Sequence, residues 1–393
     1  MKLLNDGGVL SFISSNKFFR AGYGGKLRKY LAEKTELQSA IDFGDLPIFE
    51  ATAYPCIIVT SNRVPKAAHQ VRTLNVKTMA ELEHFTELTK SAAVTFPQES
   101  FGENSWQLGS PAVLRLLEKL SRAGKPLREF VGARVSRGLT TGLNEAFVVD
   151  RATRDRLVRE HKSSAEILKP YIRGKDINRW RAEFADQFIV KIESSENQDH
   201  PWSGKSKKDA EEIFAKTYPA IHSHFENLRS ELINRDDQGK YFWEQRSCKY
   251  WQEFGKPKIV STKISIRPTF ALDSEKHYLG NTAYFFPAAT SGRFLLGLLN
   301  SNLFFTYAKT VFVEKQGGWF EVQPDALESF PIPAASTAEQ AALSGLVDGI
   351  LAAKRTGDES KVAALESEID AHVFRLYALT PAEIELVKFT AAK

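Results

Sequence analysis

The stretch GGVLSFISSNKFFRAGYGGKLRKYL (residues 7–31) decides which fold the sequence predicts. Its continuous apolar run from Val9 to Ile13 is typical of a strand covered on both faces of a parallel sheet. Parallel neighbours require crossovers of about a dozen or more residues each. Only eight residues precede Val9. The sequence therefore predicts the end of a sheet whose earlier strands are missing from the chain.

Composition narrows the class of protein. A chain of 393 residues is long enough for two or three domains. Its two cysteines, Cys56 and Cys248, lie far apart without CxxC or Cys/His spacing, which argues against disulfides and zinc and favours a reducing cytoplasm. No apolar run approaches the roughly eighteen residues that span a bilayer, so we expect a cytoplasmic protein without membrane contact.

Four segments follow from changes in pattern along the chain. Residues 1–65 alternate strand and helix, and a helix over Tyr23–Lys34 would bury Leu27, Tyr30 and Leu31 on one face. Residues 66–105 are an amphipathic connection, and 106–335 mix short β-like runs such as EAFVVD, QFIVKI and NTAYFFP with loops. Residues 336–393 predict two helices in a hairpin, the first capped by Ser336 or Thr337. The strands predicted in the first segment are Val9–Ser14, Leu37–Phe43 and Tyr54–Thr60.

Charge is distributed unevenly. Residues 336–393 hold nine acids and six bases, which makes this tail −3, so the rest of a chain with net charge +5 carries +8. Three segments of the body, 122–137, 169–181 and 256–267, each carry +4 beside turns with Gly or Pro. Clustered cations on loops favour a polyanionic partner, because phosphate binding releases counterions. The alternative is a solvated basic surface without a partner.

Several motifs resemble one family in the right order along the chain. The opening stretch, followed by IDFGDLPIFEATAYPCIIV (41–59), resembles the end of the catalytic domain in adenine-N6 DNA methyltransferases of the type IIG restriction–modification group. RGLTTGLNEAFVVD (137–150) resembles a signature of the TaqI-like C-terminal specificity domain. Later signatures of the same group are similar to LKPYIRGKDINRW (168–180), LLGLLNSNLFFTYAK (295–309), LESFPIP (327–333) and EIDAHVFRLYALTPAEIELV (368–387).

The resemblance implies a fold class and a division of labour. The expected fold is an α/β remnant of a methyltransferase sheet (1–65), a connecting segment (66–105), a mixed α+β target recognition domain (106–335) and a C-terminal helical hairpin (336–393). The family's catalytic NPPY motif occurs nowhere in this chain, nor does a glycine-rich cofactor loop after an early strand. S-adenosyl-L-methionine is thus implied for the parent enzyme, with no motif here to bind it, and we expect no catalytic residue and no metal ligand.

The predicted DNA contacts come from the three basic segments, their neighbouring turns and, for Lys315, the loop beside GGWF (317–320), which is either a mobile DNA-contacting loop or a buried turn. Arginine suits guanine and asparagine suits adenine, while clustered cations suit phosphates. The motif GKDINRW has a competing interpretation as a structural corner, in which Asp176 caps a turn or pairs with Lys175 or Arg179. The candidates for binding double-stranded DNA are Arg134, Arg137, Thr140, Thr141, Asn144, Arg173, Lys175, Asn178, Arg179, Lys263, Arg267 and Lys315.

Tyr23 is a candidate for stacking on a base. In the family that this segment resembles, an aromatic ring just ahead of the "LR" helix stacks on the adenine that is flipped out of the duplex. In this sequence Tyr23 lies four positions before the pair Leu27 and Arg28. The alternative is an aromatic that packs at the start of the helix.

Three functions remain open from the sequence. The first is sequence-specific DNA recognition, as the specificity portion of an adenine-N6 methyltransferase with or without a restriction nuclease. The second is a complementing subunit of a split, active methyltransferase whose other half is a separate or upstream polypeptide. The third is an interaction or inhibitory protein that binds no nucleic acid. A steep fall of affinity with salt would favour the first two.

Overall fold

The computed structural model describes residues 1–50, 54–106, 108, 110–288, 291–315 and 317–392. The strands within these residues are β1 Val9–Ser15, β2 Glu36–Asp42, β3 Pro55–Ser61, β4 Gln70–Asn75, β5 Val94–Pro97, β6 Gly124–Pro126, β7 Ser136–Arg137, β8 Val148–Asp150, β9 Leu168–Ile172, β10 Gln187–Val190, β11 Lys258–Thr262, β12 Ile264–Ser265, β13 Phe270–Asp273, β14 Tyr278–Leu279, β15 Ala283–Pro287, β16 Val313–Lys315, β17 Trp319–Glu321 and β18 Pro331–Pro333.

The α-helices vary from one turn to more than five. They are α1 Gly25–Lys34, α2 Met79–Glu83, α3 Phe85–Ser91, α4 Pro111–Ser121, α5 Leu127–Val131, α6 Asn144–Phe147, α7 Arg151–Glu160, α8 Ser164–Ile167, α9 Lys207–Thr217, α10 Pro219–Glu226, α11 Arg229–Asn234, α12 Gly292–Leu299, α13 Asn302–Val311, α14 Pro324–Glu328, α15 Thr337–Thr356, α16 Glu359–Leu376 and α17 Pro381–Ala392. In the part of the chain that the structure describes, none of them combines the length and the hydropathy of a membrane span.

The chain divides into two compact units, each built from separated segments. The first unit comprises Met1–Gly124, Asn302–Ala326 and Tyr377–Lys393. The second comprises Lys125–Ser301 and Leu327–Leu376. The four functional segments expected from the sequence stay a prediction.

The first unit contains a five-stranded sheet of order β1-β3-β2-β4-β5. Strand β3 pairs antiparallel with both β1 and β2, whereas β2 and β4 are parallel. Strands β1 and β2 therefore run in the same direction, and their carboxyl ends lie at the same edge of the sheet. Leu37, Ile58 and Trp106 belong to one apolar core, and Ile41 and Leu74 to another.

The prediction that β1 is a parallel strand covered on both faces is wrong. Strand β1 lies at the edge of the sheet and its neighbour β3 is antiparallel. Val9, Phe12 and Ile13 are 53%, 60% and 42% exposed. An apolar run shows which residues favour burial, but not whether a covering layer is present, and here the described chain leaves them uncovered.

The other elements of this segment follow the sequence more closely. Strands β2 and β3 begin and end within one residue of their predicted bounds. Helix α1 begins at Gly25, after a short 3-10 helix over Gly22–Gly24. The predicted buried face of this helix is correct only for Leu31, because Leu27 and Tyr30 are exposed.

The second unit is built around two four-stranded sheets, of order β14-β9-β10-β8 and β13-β11-β15-β7. The predicted β runs QFIVKI and NTAYFFP correspond to β10 and β15. The first half of EAFVVD is helical instead, as part of α6. The result is a mixed architecture of small sheets and helices, as expected for this region.

The C-terminal residues form three helices rather than the predicted two. Helices α15 and α16 belong to the second unit, and α17 belongs to the first. Ser336 caps α15 as predicted: its hydroxyl accepts from the backbone N–H of Glu339, and the Glu339 carboxylate accepts from the backbone N–H of Ser336. Gly357, with a φ of +72°, ends this helix. The third helix was missed because Pro381 opens it after only four residues of irregular chain.

Candidate nucleic-acid interface

A turn at residues 280–282 joins β14 to β15 and collects three basic segments of the second unit. Arg137 donates from Nε to the carbonyl oxygen of Asn281 at 3.1 Å. The backbone N–H of Gly174 donates to Thr282 Oγ1 at 2.9 Å, and the backbone N–H of Lys263 donates to the Thr282 carbonyl at 2.8 Å. Segments that are far apart in sequence thus meet at one turn, which the basic clusters alone did not predict.

Gly138 makes this convergence sterically allowed. A Cβ at this position would overlap the carbonyl group of Gly280. The backbone N–H of Gly138 donates to Ala283, and that of Leu139 donates to Leu279, at 2.9 and 2.7 Å. Gly138, the first glycine of the RGLTTG motif, is therefore required for the close approach of the two backbones.

The side chains of the basic segments that meet at this turn are of two kinds, exposed and internally paired. Arg134, Arg137, Lys175 and Asn178 are exposed. They include three cations and one amide, which are the groups that neutralise phosphates and contact base edges. These four residues are the exposed members of the predicted DNA contacts within the basic segments themselves.

Asp176 is the centre of a structural corner, as the competing interpretation of GKDINRW proposed, although its partner is different. The buried carboxylate accepts from the backbone N–H of Arg173 at 2.8 Å and from its Nε and terminal nitrogen at 2.9 and 3.1 Å. The side-chain hydrogen bond to Asp176 raises the pKa of the Arg173 guanidinium. Arg173 is thereby committed to its own loop, while Lys175, two residues on, stays exposed.

Arg179 is likewise engaged inside the second unit. Its guanidinium forms an ion pair with Glu366 of α16 and donates to the Asn300 carbonyl at 2.5 Å. The neighbouring Trp180 ring lies 5.1 Å beneath it, and the Trp180 indole N–H donates to the same Glu366 at 2.5 Å. These contacts hold the 178–181 turn on α16, so the structure gives Arg179 an internal role beside its predicted role on DNA.

Most of the cations in the third basic segment (256–267) are not exposed at the surface. Lys258 lies in β11, fully buried, with its ammonium group 2.8 Å from the Asp273 carboxylate. Burial lowers the pKa of the Lys258 ammonium group despite this partner. Burial and the nearby positive charge of Arg179 together lower the pKa of Arg267 to about 10, although the carboxylates of Asp370 and Glu366 act in the opposite direction. Lys263 is half-buried and reaches the 280–282 turn through its backbone.

The TTGLN turn (140–144) holds three of the predicted DNA contacts, of which one is exposed and two are less exposed. Thr141 is buried, and its hydroxyl donates to Asn144 Oδ1 at 2.7 Å. Its carbonyl accepts from the buried guanidinium of Arg235. Thr140 is half-buried, and Asn144 is exposed at the start of α6. Asn144 is thus the one of the three that a ligand can reach fully.

A cavity of about 250 Å³ lies in the first unit, at the carboxyl ends of β1 and β2. Ligand sites in open α/β sheets typically occur at this edge. Tyr23, the predicted base-stacking residue, lines the cavity and is 75% exposed. The other lining residues are Asn16, Lys17, Arg20, Ala21, Asp42, Gly44, Asp45, Tyr54, Val313, Glu314, Lys315, Glu321 and Gln323.

Hydrogen bonds hold the polar groups of this cavity in place. Asp42 accepts from the side-chain amide of Asn16 at 2.7 Å and from the backbone N–H of Gly44 at 2.9 Å. The ammonium group of Lys17 lies 5.4 Å from the centre of the Tyr54 ring. The sequence pattern did not point to Asn16 or Asp42, and the available signal was their position near the carboxyl ends of two predicted strands, Val9–Ser14 and Leu37–Phe43.

Lys315 belongs to this cavity in the first unit, and not to the basic segments of the second. Its ammonium group lies 2.6 Å from the Glu321 carboxylate across the β16–β17 hairpin. Both residues line the cavity. The positive charge predicted for DNA contact is therefore balanced locally.

A cluster of Glu211, His222 and Glu226 in the second unit has the ligand types of a metal site. The Arg229 guanidinium occupies it from one side, since it donates to Glu211 at 2.8 Å and to Glu226 at 2.5 Å. The cluster is thereby a network of ion pairs on α9, α10 and α11.

Two protein-family models match parts of the chain. Residues 169–332 match the TaqI-like C-terminal specificity domain, and residues 1–49 match the Eco57I restriction-modification methylase family. A solved structure, the type IIL restriction-modification enzyme MmeI in complex with DNA, shares the fold with a TM-score of 0.59 at 11% identity over 98% of this chain and 49% of that one.

Two curated relatives are type II methyltransferases. M.PaeR7I of Pseudomonas aeruginosa is 28% identical over 48% of this chain and 33% of its own length. M.BstVI of Geobacillus stearothermophilus is 20% identical over 99% of this chain and 67% of its own length. The chain thus spans between a third and two thirds of these relatives. Residues 169–332 are thus similar to a TaqI-like C-terminal specificity domain, within a chain that is similar to a type II methyltransferase along nearly its whole length.

Proposed function

We propose that this chain recognises a short sequence of duplex DNA, as the specificity portion of an adenine-N6 methyltransferase of a restriction-modification system. The observation that carries the proposal is the meeting of three basic segments at the 280–282 turn, within the specificity domain. The solved structure of MmeI, which is similar in fold, is a complex with DNA, and this supports the same partner for this chain.

The exposed residues around the turn divide into two roles. Lys175 supplies a point charge for phosphate, whereas Arg134 and Arg137 can also donate two hydrogen bonds to guanine. Asn144 and Asn178 carry the amide that pairs with adenine. The internally paired Arg173 and Arg179 act as positioning residues for these loops.

The first unit is proposed as the last strands of a methyltransferase α/β domain, and its cavity as the place where an adenine is received. The match of residues 1–49 to a methylase family supports this assignment. Tyr23 supplies an exposed ring at the cavity wall on which a flipped base can stack.

The cofactor of such an enzyme, S-adenosyl-L-methionine, does not fit the glycine-rich turn of this chain. A Cβ at Gly24 would overlap the carbonyl oxygen of Phe18, and one at Gly25 would contact Glu103. Gly24 and Gly25 therefore pack against protein, and only Gly22 of these three glycines faces open space, which leaves no glycine-lined cradle for the cofactor. We propose that cofactor binding and methyl transfer belong to the methyltransferase half that carries NPPY.

Binding and methylation can be tested on the chain as it stands. Fluorescence anisotropy with labelled duplexes selected from a random pool should show specific binding that weakens steeply with salt. Transfer of labelled methyl groups from S-adenosylmethionine to the same duplex should stay at background. Binding without salt dependence, or robust methylation by the chain alone, would refute the proposal.

A second function, the complementing subunit of a split methyltransferase, is favoured by β1. The hydrogen bonds of Gly8 with Asn62 and of Asn16 with Tyr54 alternate along the strand, so the backbone groups of Val9, Ser11 and Ile13 point away from β3. This edge is apolar and has no charge between Val9 and Ser15. Edge strands normally carry charges that prevent pairing, so this one is suited to accept another strand.

The second function predicts that an NPPY-bearing polypeptide restores methylation when it is added. Ile13→Lys should abolish this restoration, because a charge on the open edge opposes pairing. Val64→Lys, at a residue 69% exposed in the same unit, is the matched control and should leave the restored activity intact. Equal effects of the two substitutions would contradict this use of β1.

A further inference from the structure

The segment that begins at β12 has an inverted pattern of burial. Ile264 and Ile266 are 44% and 60% exposed, whereas Ser265 and Arg267 are half-buried. The hydroxyl oxygen of Ser265 is buried, and the charge of Glu366, in α16, reaches the Arg267 guanidinium. A strand with one solvated face normally buries its apolar residues and exposes its polar ones. Here the apolar side chains face solvent and the polar ones face the protein.

Such exposure is uncommon in the second unit. Among the residues of this unit that the structure describes, the exposed large apolar side chains are Ile233, Ile264 and Ile266. Ile233 lies alone on α11, and single exposed apolar residues are common on protein surfaces. Ile264 and Ile266, the isoleucine pair, lie two positions apart on one short segment. Local patterning is broken in this way at functional sites, where exposed apolar surface has a use.

The isoleucine pair begins beside the turn that gathers the basic segments. The backbone N–H of Lys263, directly before Ile264, donates to the Thr282 carbonyl oxygen at 2.8 Å. Arg137 donates to the neighbouring Asn281 carbonyl at 3.1 Å. An apolar pair next to cations suits a partner that combines negative charge with apolar groups. Duplex DNA has both, because thymine presents its 5-methyl group in the major groove beside the phosphates.

We propose that Ile264 and Ile266 contact thymine 5-methyl groups of the bound DNA and so help to determine which sequence is bound. The inference rests on the proposed function, since it requires that the chain bind duplex DNA through the surface around the 280–282 turn. The exposed cations of that surface suit phosphate and guanine, and Asn144 and Asn178 suit adenine. The isoleucine pair adds thymine to these groups. Every site that contains adenine also contains thymine on the opposite strand.

The experiment removes the methyl group from the DNA and the isoleucine side chains from the protein, separately and together. Each thymine of a site selected from a random pool is replaced in turn by deoxyuridine, which lacks the 5-methyl group and pairs with adenine in the same way. The full chain, I264A/I266A and I264V/I266V are titrated with each duplex by fluorescence anisotropy. I233A is the matched control, because Ile233 is 46% exposed in the same unit and lies on α11. Urea denaturation verifies that each variant keeps its fold.

We expect the wild-type chain and I233A to bind at least one deoxyuridine duplex about fourfold more weakly than the thymine duplex, as the transfer of one methyl group predicts. In I264A/I266A this difference should fall to less than about twofold, because the methyl group then has no partner to lose. I264V/I266V should retain most of the difference, since valine keeps a branched apolar side chain at both positions.

Each other result contradicts a different step. Equal weakening of the thymine and deoxyuridine duplexes in I264A/I266A would overturn the methyl contact and indicate another use of the isoleucines, such as a wedge between base pairs. A wild-type chain indifferent to every deoxyuridine, or a difference that persists in I264A/I266A, would also overturn it and leave DNA recognition intact. Absence of binding to any duplex would refute the proposed function itself.

Discussion

Removal of two exposed cations beside the 280–282 turn should change the salt dependence of DNA binding by a calculable amount. Arg137 and Lys175 come from different basic segments, and both segments hydrogen-bond to residues 281–282. If each side chain neutralises one phosphate, each contributes about 0.9 to the slope of log affinity against log salt. The double variant R137A/K175A should therefore lower the slope by about 1.8.

The same slope gives the expected loss of affinity. Relative to a reference at about 1 M salt, a slope change of about 1.8 amounts to roughly 60-fold weaker binding at about 0.1 M salt, and to little difference at high salt. Anisotropy titrations at four or more salt concentrations measure both quantities. The control K207A/K208A removes two exposed lysines at the start of α9 in the same unit.

The comparison with this control decides the outcome. A loss of affinity without a change of slope would mean that Arg137 and Lys175 contact bases or support folding, and do not bind phosphate. An equal change of slope in K207A/K208A would mean that binding depends on net charge alone. Either result would refute the argument that the turn organises a specific DNA surface.

Three further predictions concern the internal ion pairs of the second unit. K258M should lower the free energy of unfolding by about 3–5 kcal/mol, because it removes the lysine charge that faces the buried Asp273 carboxylate. K258M/D273L should recover only part of this loss in urea denaturation, because Glu275 and His277 then lose the acceptor of their hydrogen bonds. The hydrogen bond from His277 and the charge of Lys258 outweigh burial and hold the pKa of Asp273 below its usual value. As the pH falls, the Asp273 carboxylate therefore binds a proton in the unfolded chain before it does so in the folded chain. The urea midpoint should fall as the pH decreases through about 4 and below, and D273N should lack this part of the decrease. R179M should lower the unfolding midpoint but leave the salt slope unchanged, and E366Q should behave similarly, since the pair of Arg179 and Glu366 is internal.

Local pattern was sufficient for much of the fold. Strands β2 and β3 and the capped start of α15 at Ser336 follow from apolar runs and capping chemistry, which act over a few residues. The position of β1 could not be obtained in the same way. An apolar strand has the same local sequence in the middle of a sheet and at its edge, and only the arrangement of the other strands distinguishes the two.

The candidate site was predictable in composition but not in detail. Clusters of cations on loops indicated which segments to consider as a DNA surface, yet the exposure of these cations depends on distant partners that a single sequence does not reveal. Glu366 is 187 residues from Arg179, and Asp273 pairs with Lys258 across two strands. Opposite charges so far apart, or on neighbouring strands, have no sequence signature when no related sequences are compared.

The distinction between paired and exposed cations has a consequence for how specificity can change. Arg173, Arg179 and Lys258 are held by carboxylates of the same unit and fix the positions of the loops. Arg134 and Lys175 are exposed on those loops, and substitutions of exposed residues typically change stability by only about 0.5 kcal/mol. A frame stabilised by internal ion pairs can therefore present different side chains to DNA without unfolding. For that reason, exchanges at exposed positions such as Arg134 should alter which sequence is bound, whereas exchanges at Asp176 or Glu366 should weaken binding to all sequences by releasing the loops that carry the contacts.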